Sequence, residues 1–264
     1  MHFHSLGFNT KSESGVQQKA RLVAKGFEED CLDEIPKNSC TCDKQSLRLI
    51  LSIIACKKWK INSMDIKTAF LQRKEMEREV YLKPPKEAHF PGKVWKLNKC
   101  VYGLADASLM WYQKVKSTLI ACGGTMSKVD PAVFYWRNSE NLNGIICVHV
   151  DDFLWTGSKW FEQNIISKLR DVFHVGKEAC ESFRYLGLNL IQENETIVLS
   201  QTDYAKSMKT VPILKERMKS SLLMSEEQTI LRSKIGQLLW LTKQTRHDIA
   251  FDVAMLSVNE RHCR

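Results

Sequence analysis

Three aspartates stand where carboxylates are costly or crowded. Asp65 lies in the stretch MDIKTAFL (64–71), whose apolar residues suit a buried strand, and an unpaired charge there is expensive. Asp151 and Asp152 follow the apolar run IICVHV (145–150) and precede Phe153-Leu154-Trp155. Adjacent carboxylates repel each other unless a cation sits between them. Oxygen ligands of this kind suit Mg²⁺, which keeps several waters and bridges to substrate phosphates. Two such ions about 3.5–4 Å apart can activate an attacking hydroxyl and stabilise a leaving phosphate oxygen. Side chains alternate along a strand, so Asp151 and Asp152 can share an ion only from a turn. The plain alternative is a solvated Asp-Asp turn, with Asp65 paired to a basic neighbour. Residue types alone leave both open.

The elements that must hold these carboxylates can be read from periodicity. Residues 45–58 read as a buried helix and 61–71 as a strand carrying Asp65. Trp111, Val115 and Leu119 recur four apart, which predicts a helix over 107–121. Val133–Trp136 and Ile145–Val150 flank Asn143-Gly144, a pair that tolerates the positive φ of a tight hairpin turn. Phe161, Ile165, Leu169 and Phe173 mark another helix face. A second hairpin is predicted from Phe183–Ile191 and Thr196–Ser200 around Glu193-Asn194-Glu195, and helices over 203–219, 226–243 and 247–258. Ala20, Leu22 and Ala24 alternate with Arg21, Val23 and Lys25, as a strand with a basic face would. Residues 1–18 read as irregular, and 83–93, with Pro84, Pro85 and Pro91, as a loop. Helices mixed with antiparallel hairpins give an α+β layout.

Composition bounds the rest. The chain has 264 residues, 44% hydrophobic, with 39 Lys+Arg against 30 Asp+Glu and a net charge of +9. That apolar content excludes disorder, and 12 Gly with 6 Pro excludes a fibrous chain. The positive surplus points to an anionic partner. It is concentrated: residues 83–119 hold seven lysines against Glu87 and Asp106, and residues 206–247 hold nine Lys+Arg against Glu216, Glu226 and Glu227. Nine cysteines without a framework fit a reducing compartment, and Cys40 and Cys42 lack the further ligands of a zinc site. The longest apolar run, Leu47 to Cys56, is interrupted by Arg48 and too short to span a bilayer, so no membrane partner is expected.

Several segments, in order, resemble the reverse transcriptase domain of copia-type retrotransposons. KARLVAKGFEE (19–29) resembles a fingers strand. MDIKTAFLQ (64–72) resembles polymerase motif A. VYLKPPKEA (80–88) and the segment 94–112, VWKLNKCVYGLADAS with Trp111-Tyr112, resemble the stretch leading through motif B, and HVDDFLWTG (149–157) resembles motif C. FRYLGLNL (183–190) is similar to the hairpin that grips the primer. LSQTDYAKSM (199–208) and RSKIGQLLWLTKQTRHDIAFDVAMLS (232–257) resemble the helical segments that follow. Differences stand at Leu109-Met110, Arg73, His149 and His247.

The resemblance implies a right-hand polymerase of α+β class, an RNA-directed DNA polymerase with a palm sheet, fingers and part of a helical thumb. The implied divisions are partial fingers over 1–60, a palm over 61–192 with an inserted fingers segment at about 72–110, and the start of a thumb or connection over 193–264. Asp65, Asp151 and Asp152 match the catalytic triad that holds two Mg²⁺, or Mn²⁺. Arg21 matches the arginine that contacts the incoming triphosphate, with Lys19 and Lys25 beside it. Phe70 falls at the aromatic position that crowds the sugar 2′ carbon; from its position alone it equally fits the core. Tyr102 and Gly103 match the nucleotide side of motif B, and Tyr185, Leu186 and Gly187 the primer-gripping turn. The implied partners are an RNA or DNA template with primer and deoxynucleoside triphosphates. The implied location is intracellular, cytoplasmic or nuclear, or a virus-like particle of an intact element. The chain is expected to be a fragment of a longer Pol reading frame that stops before RNase H. Two further readings are open: a decayed remnant that only binds nucleic acid, and a basic interaction domain.

Overall fold

The computed structural model describes residues 3–12, 15–30, 32–72, 76, 78–85, 88–211 and 223–262, with side chains from residue 23 to residue 258. The chain divides into two compact units, Met1–Glu181 and Ser182–Arg264.

The first unit opens with strands β1 (Phe3–Ser12) and β2 (Gly15–Ala24), paired antiparallel from Phe3 against Ala24 to Ser12 against Gly15. The N-terminal segment is therefore not irregular. Its polar residues carry only a faint alternation, and backbone pairing rather than apolar patterning defines the strands. Helix α1 (Lys44–Lys57) is capped by Asp43, whose carboxylate accepts from the Gln45 amide, and buries Leu47, Ile50, Leu51 and Ile54.

Next come β3 (Asn62–Ile66), the short pair β4 (Tyr81–Leu82) and β5 (Trp95–Lys96), and helix α2 (Ala107–Ala121). The predicted strand over 61–71 is thus too long. After Ile66 the chain turns, with Thr68 at φ 48, and winds into a 3-10 turn over Ala69–Gln72. Strands β6 (Thr125–Met126), β7 (Val133–Arg137), β8 (Leu142–His149) and β9 (Asp152–Gly157) follow. Helices α3 (Lys159–Phe161) and α4 (Ser167–Val172) are joined through a π turn over Glu162–Ile166, and β10 (Val175–Cys180) ends the unit.

Six strands form one antiparallel sheet in the order β10-β3-β9-β8-β7-β6. Met64, Ile66, Phe134, Ile146, Val148, Phe153 and Trp155 supply its core face. Trp111, Val115 and Leu119 of α2 join them, as do Phe161, Ile165, Ile166, Leu169 and Phe173 from the second helical run. This is the layered arrangement that buries one sheet face under helices.

The first hairpin exists, but Asn143-Gly144 does not turn it. The turn lies over Asn138–Asn141, where the Asn138 side chain accepts from the Asn141 amide at 2.8 Å, and Arg137 pairs with Leu142. Gly144 sits inside β8 because space requires it: a Cβ there would lie 2.3 Å from the Phe161 ring.

In the second unit, β11 (Ser182–Tyr185), β12 (Leu188–Glu193) and β13 (Thr196–Ser200) form a three-stranded antiparallel sheet. The stretch read as one strand from Phe183 to Ile191 is folded back on itself at Leu186-Gly187. The turn at Asn194-Glu195 is where the sequence put it. Helices α5 (Thr202–Ser207), α6 (Ser225–Gln244) and α7 (Ala250–His262) complete the unit. The helix predicted over 203–219 ends at Ser207, and residues 212–219 lie outside the described residues. No described helix is long and apolar enough to cross a membrane.

Candidate active site

Strand register brings the first two aspartates together. Asp65 is the direct cross-strand partner of Asp152, and Asp152 also pairs with His149. Opposed residues of an antiparallel pair share one face. Their neighbours Met64, Ile66 and Phe153 belong to the core, so by alternation both carboxylates project from the opposite face. Asp151 lies in the two-residue turn between His149 and Asp152. The Ile66 amide donates to the Asp151 carbonyl at 2.9 Å, and the Trp111 indole N–H donates to the Val150 carbonyl at 2.7 Å. The turn is thereby held from β3 and from α2. Val150 adopts φ 58, a left-handed conformation rare for a β-branched residue and typical of constrained functional turns.

The electrostatics follow from this crowding. Burial, then the charges of Asp151 and Asp65, push the Asp152 carboxyl up to about 6. Burial lowers the His149 imidazole, against the opposing pull of Asp151, and its Nδ1 is buried without a hydrogen-bond partner. Among the described residues no group of three His, Cys, Asp or Glu side chains forms a ready-made metal cage. What the site presents is a cross-strand carboxylate pair with a third carboxylate in the adjoining turn. An oxygen-only donor set, half-buried and mutually repelling, fits a hard divalent cation; Asp65, Asp151 and Asp152 are the residues that would hold it.

A pH dependence follows. Asp152 has its native pKa above the unfolded value of 3.8, so its protonated form favours the fold. That contribution is complete below pH about 4 and is lost as pH rises through about 6. The metal-free chain should lose about 1–3 kcal/mol of stability from this group across that window. Chemical denaturation of the wild-type chain and Asp152→Asn between pH 4 and 7.5 checks it. The difference between the two curves should grow with pH, and a flat difference would contradict the crowding.

Two supporting residues lie outside the predicted site set. Trp111 reads as core from its periodicity and is 1% exposed, but its hydrogen bond to the turn is invisible in sequence. Trp111→Phe keeps most of the volume and orphans the Val150 carbonyl, for a cost of about 1–3 kcal/mol. A lower melting temperature is expected, and an unchanged one would show the bond to be idle. Gly176 lies where the β10–β3 register shifts between Val175 and Glu178, and a Cβ there would come 2.4 Å from Asp65 Oδ2. Only the fold shows that this glycine makes room for the carboxylate.

The other predicted residues fall into separate groups. Phe70 is on the 3-10 turn and meets Tyr102 edge to face, with ring centroids 4.9 Å apart. It packs against both the core of the six-stranded sheet and the cluster of Val80, Leu82, Cys100 and Leu104. Gly103 has φ 89 and receives the Gly26 amide on its carbonyl at 3.0 Å, while the Ala24 amide donates to the Tyr102 carbonyl at 2.7 Å. Lys25 is not on the strand: it precedes the 3-10 turn Gly26–Glu28 and pairs with Glu28 at 3.2 Å. Lys19 and Arg21 lie on β2, opposite Phe8 and Leu6, and their side chains lie outside the described residues. Tyr185, Leu186 and Gly187 form the tight β11–β12 turn of the second unit, with Leu186 at φ 48, Gly187 at φ 79 and Tyr185 buried. Trp111 and Tyr112 are both core residues, and the Tyr112 hydroxyl donates to the Pro131 carbonyl.

The family model described as reverse transcriptase (RNA-dependent DNA polymerase) matches residues 5–217. The Retrovirus-related Pol polyprotein from transposon TNT 1-94 of Nicotiana tabacum is 31% identical over 272 residues, covering 92% of this chain and 20% of that protein. The corresponding polyprotein from transposon RE1 of Arabidopsis thaliana is 30% identical over 258 residues, covering 90% of this chain and 17% of that protein. The chain thus spans about a fifth of the length of these relatives. Among solved structures, the foamy viral protease-reverse transcriptase in complex with double-stranded DNA superposes with a TM-score of 0.50 at 14% identity. The match covers 90% of this chain and 36% of that one. The likeness supports an α+β polymerase palm.

Proposed function

The chain belongs to the reverse transcriptase (RNA-dependent DNA polymerase) family, in its copia-type branch, and from that premise we propose that it extends a primer 3′-hydroxyl with deoxynucleotides on a nucleic-acid template. The observation that carries the reading is the cross-strand pairing of Asp65 with Asp152, beside Asp151 in a turn held from both sides. When bound by these carboxylates, Mg²⁺ or Mn²⁺ would supply the positive charge that lowers a hydroxyl pKa and stabilises a leaving phosphate oxygen.

The chain's own groups position the reactants. Arg21, with Lys19 and Lys25, takes the triphosphate; Lys25 must exchange Glu28 for it. Phe70, braced by Tyr102, crowds the sugar and excludes a 2′-hydroxyl by overlap. Gly103 lets the fingers segment seat closely, and the Tyr185–Gly187 turn takes the primer strand. Exposed Lys83, Lys93 and Lys99, with Lys206, Lys209 and Lys243 of the second unit, contact phosphates without reading sequence. In this reading residues 1–60 and about 72–110 act as fingers, 61–192 as palm and 193–264 as the start of a thumb or connection.

Primer extension on poly(A)/oligo(dT) with dTTP and Mg²⁺ or Mn²⁺ tests the proposal. Extension with dTTP and not UTP is expected. Duplex binding that weakens steeply with salt, without extension, would reduce the chain to a nucleic-acid-binding remnant. No binding at low salt would remove that reading too.

A further inference from the structure

Away from the aspartates, the first unit buries a three-part ion cluster. The Arg78 guanidinium forks onto Asp106, with Nε donating to Oδ2 at 2.8 Å and Nη2 to Oδ1 at 2.9 Å. Its Nη1 lies 2.6 Å from Glu29 Oε2, a charge contact without hydrogen-bond alignment. The second Glu29 oxygen accepts from the Ala105 amide at 2.9 Å. The Glu29 and Asp106 side chains are 2% and 7% exposed, and Arg78 33%. Two nearly dry carboxylates therefore share one guanidinium. Removing it would leave two unneutralised charges side by side.

The parts come from three places in the chain. Glu29 ends the segment after β2, Arg78 precedes β4, and Asp106 immediately precedes α2. The same two stretches, 24–29 and 102–106, are also tied by the Ala24–Tyr102 and Gly26–Gly103 backbone bonds. Those backbone bonds fix the approach of the segment. The ion cluster fixes its far end and so its angle. A planar fork that grips one carboxylate with two donors, while a third nitrogen reaches another, sets direction as well as distance; an ammonium cannot do so.

We propose that Arg78 is a positioning residue: bracketed by Glu29 and Asp106, it holds the segment carrying Lys25, and strand β2 with Arg21, at the angle that binds the incoming nucleotide. The inference rests on the polymerase reading and deepens it. Arg78 touches no reacting atom, so its effect falls on nucleotide affinity rather than on the chemical step.

The test uses the full chain and Arg78→Lys, which keeps the charge and loses the fork. The dTTP KM on poly(A)/oligo(dT) should rise about tenfold or more with kcat nearly unchanged, since small misplacements are costly. Hydrogen exchange of the Ala24 and Gly26 amides should quicken, while the Ile66 amide, bonded to Asp151, keeps its rate. A second variant, Glu29→Gln with Asp106→Asn, relieves the charge crowding and should quicken the same two amides without unfolding the palm. An unchanged KM, or equal quickening of all three amides, would make the cluster merely structural and overturn the proposal. If the wild-type chain extends no primer, the polymerase reading fails on its own, and the exchange rates still decide whether Arg78 holds the segment.

Discussion

Asp152→Asn should abolish primer extension and at the same time make the metal-free protein more stable. Both effects come from one charge. Asp152 sits directly across from Asp65 and next to Asp151, and burial together with these neighbours pushes its carboxyl up to about 6. At neutral pH the ionised form is therefore held at a cost, which an amide of the same shape does not incur. The gain should be about 1–3 kcal/mol, read as a rise of roughly 2–4 °C in melting temperature per kcal/mol for a chain of this size. The same substitution removes one of three carboxylates from the set proposed to hold the cations. Loss of a preorganised charge at a reacting centre costs about 10²–10³ in rate, so extension should fall at least that far. The opposite signs are informative, because an inactive variant that melts higher has not lost activity by unfolding. An Asp152→Asn protein that melts lower would show that the carboxylate is satisfied by the fold. One that keeps full activity would remove Asp152 from the chemistry.

Gly103→Val should detach the segment of residues 24–29. Gly103 combines two demands that no other residue meets. Its φ of 89 lies in the left-handed region, which a β-branched side chain strongly resists. A Cβ built on it falls 2.0 Å from the Ala24 carbonyl oxygen and 2.6 Å from Val23 Cγ1. Gly26 faces it with the same requirement, its own Cβ position lying 2.1 Å from the Gly103 carbonyl. Two backbones thus touch where either side chain would part them. The obstacles are mostly main chain, so the clash cannot be relieved by a rotamer change. A cost of more than about 3 kcal/mol is expected. Because Met64, Ile66, Phe153 and Trp155 pack elsewhere, in the sheet core, the damage should be local: fast proteolysis within 19–29, a much higher dTTP KM, and a retained sheet. Equal protease resistance in wild type and variant would contradict the close approach.

How much of this was legible in the sequence differs by kind of residue. Asp65 and the Asp151-Asp152 pair could be picked out because charges on apolar stretches are conspicuous, and β8, α1 and α2 could be read from their apolar patterns. The register that makes Asp65 and Asp152 partners depends on which strands are neighbours, and nothing local encodes that. Asn143-Gly144 misled for a physical reason: the glycine serves the Phe161 ring and not a turn, and the two needs leave the same letter. Phe70 left its expected strand because Thr68 turns the chain, which placed it against Tyr102. Arg78, Glu29 and Asp106 are far apart in sequence and each looks like a surface residue; only folding shows them as one buried cluster. Gly176 is the same case, a glycine whose purpose is the carboxylate on the next strand.

Uptake of Mn²⁺, followed by electron paramagnetic resonance, tests the carboxylate site without relying on turnover. In the presence of a dideoxy-terminated poly(A)/oligo(dT) duplex and dTTP, the wild-type chain should take up two ions beyond those held by nucleotide and duplex alone. Asp65→Asn combined with Asp152→Asn should take up none of these. Equal uptake by the wild type and the double variant would contradict a metal site built from these aspartates.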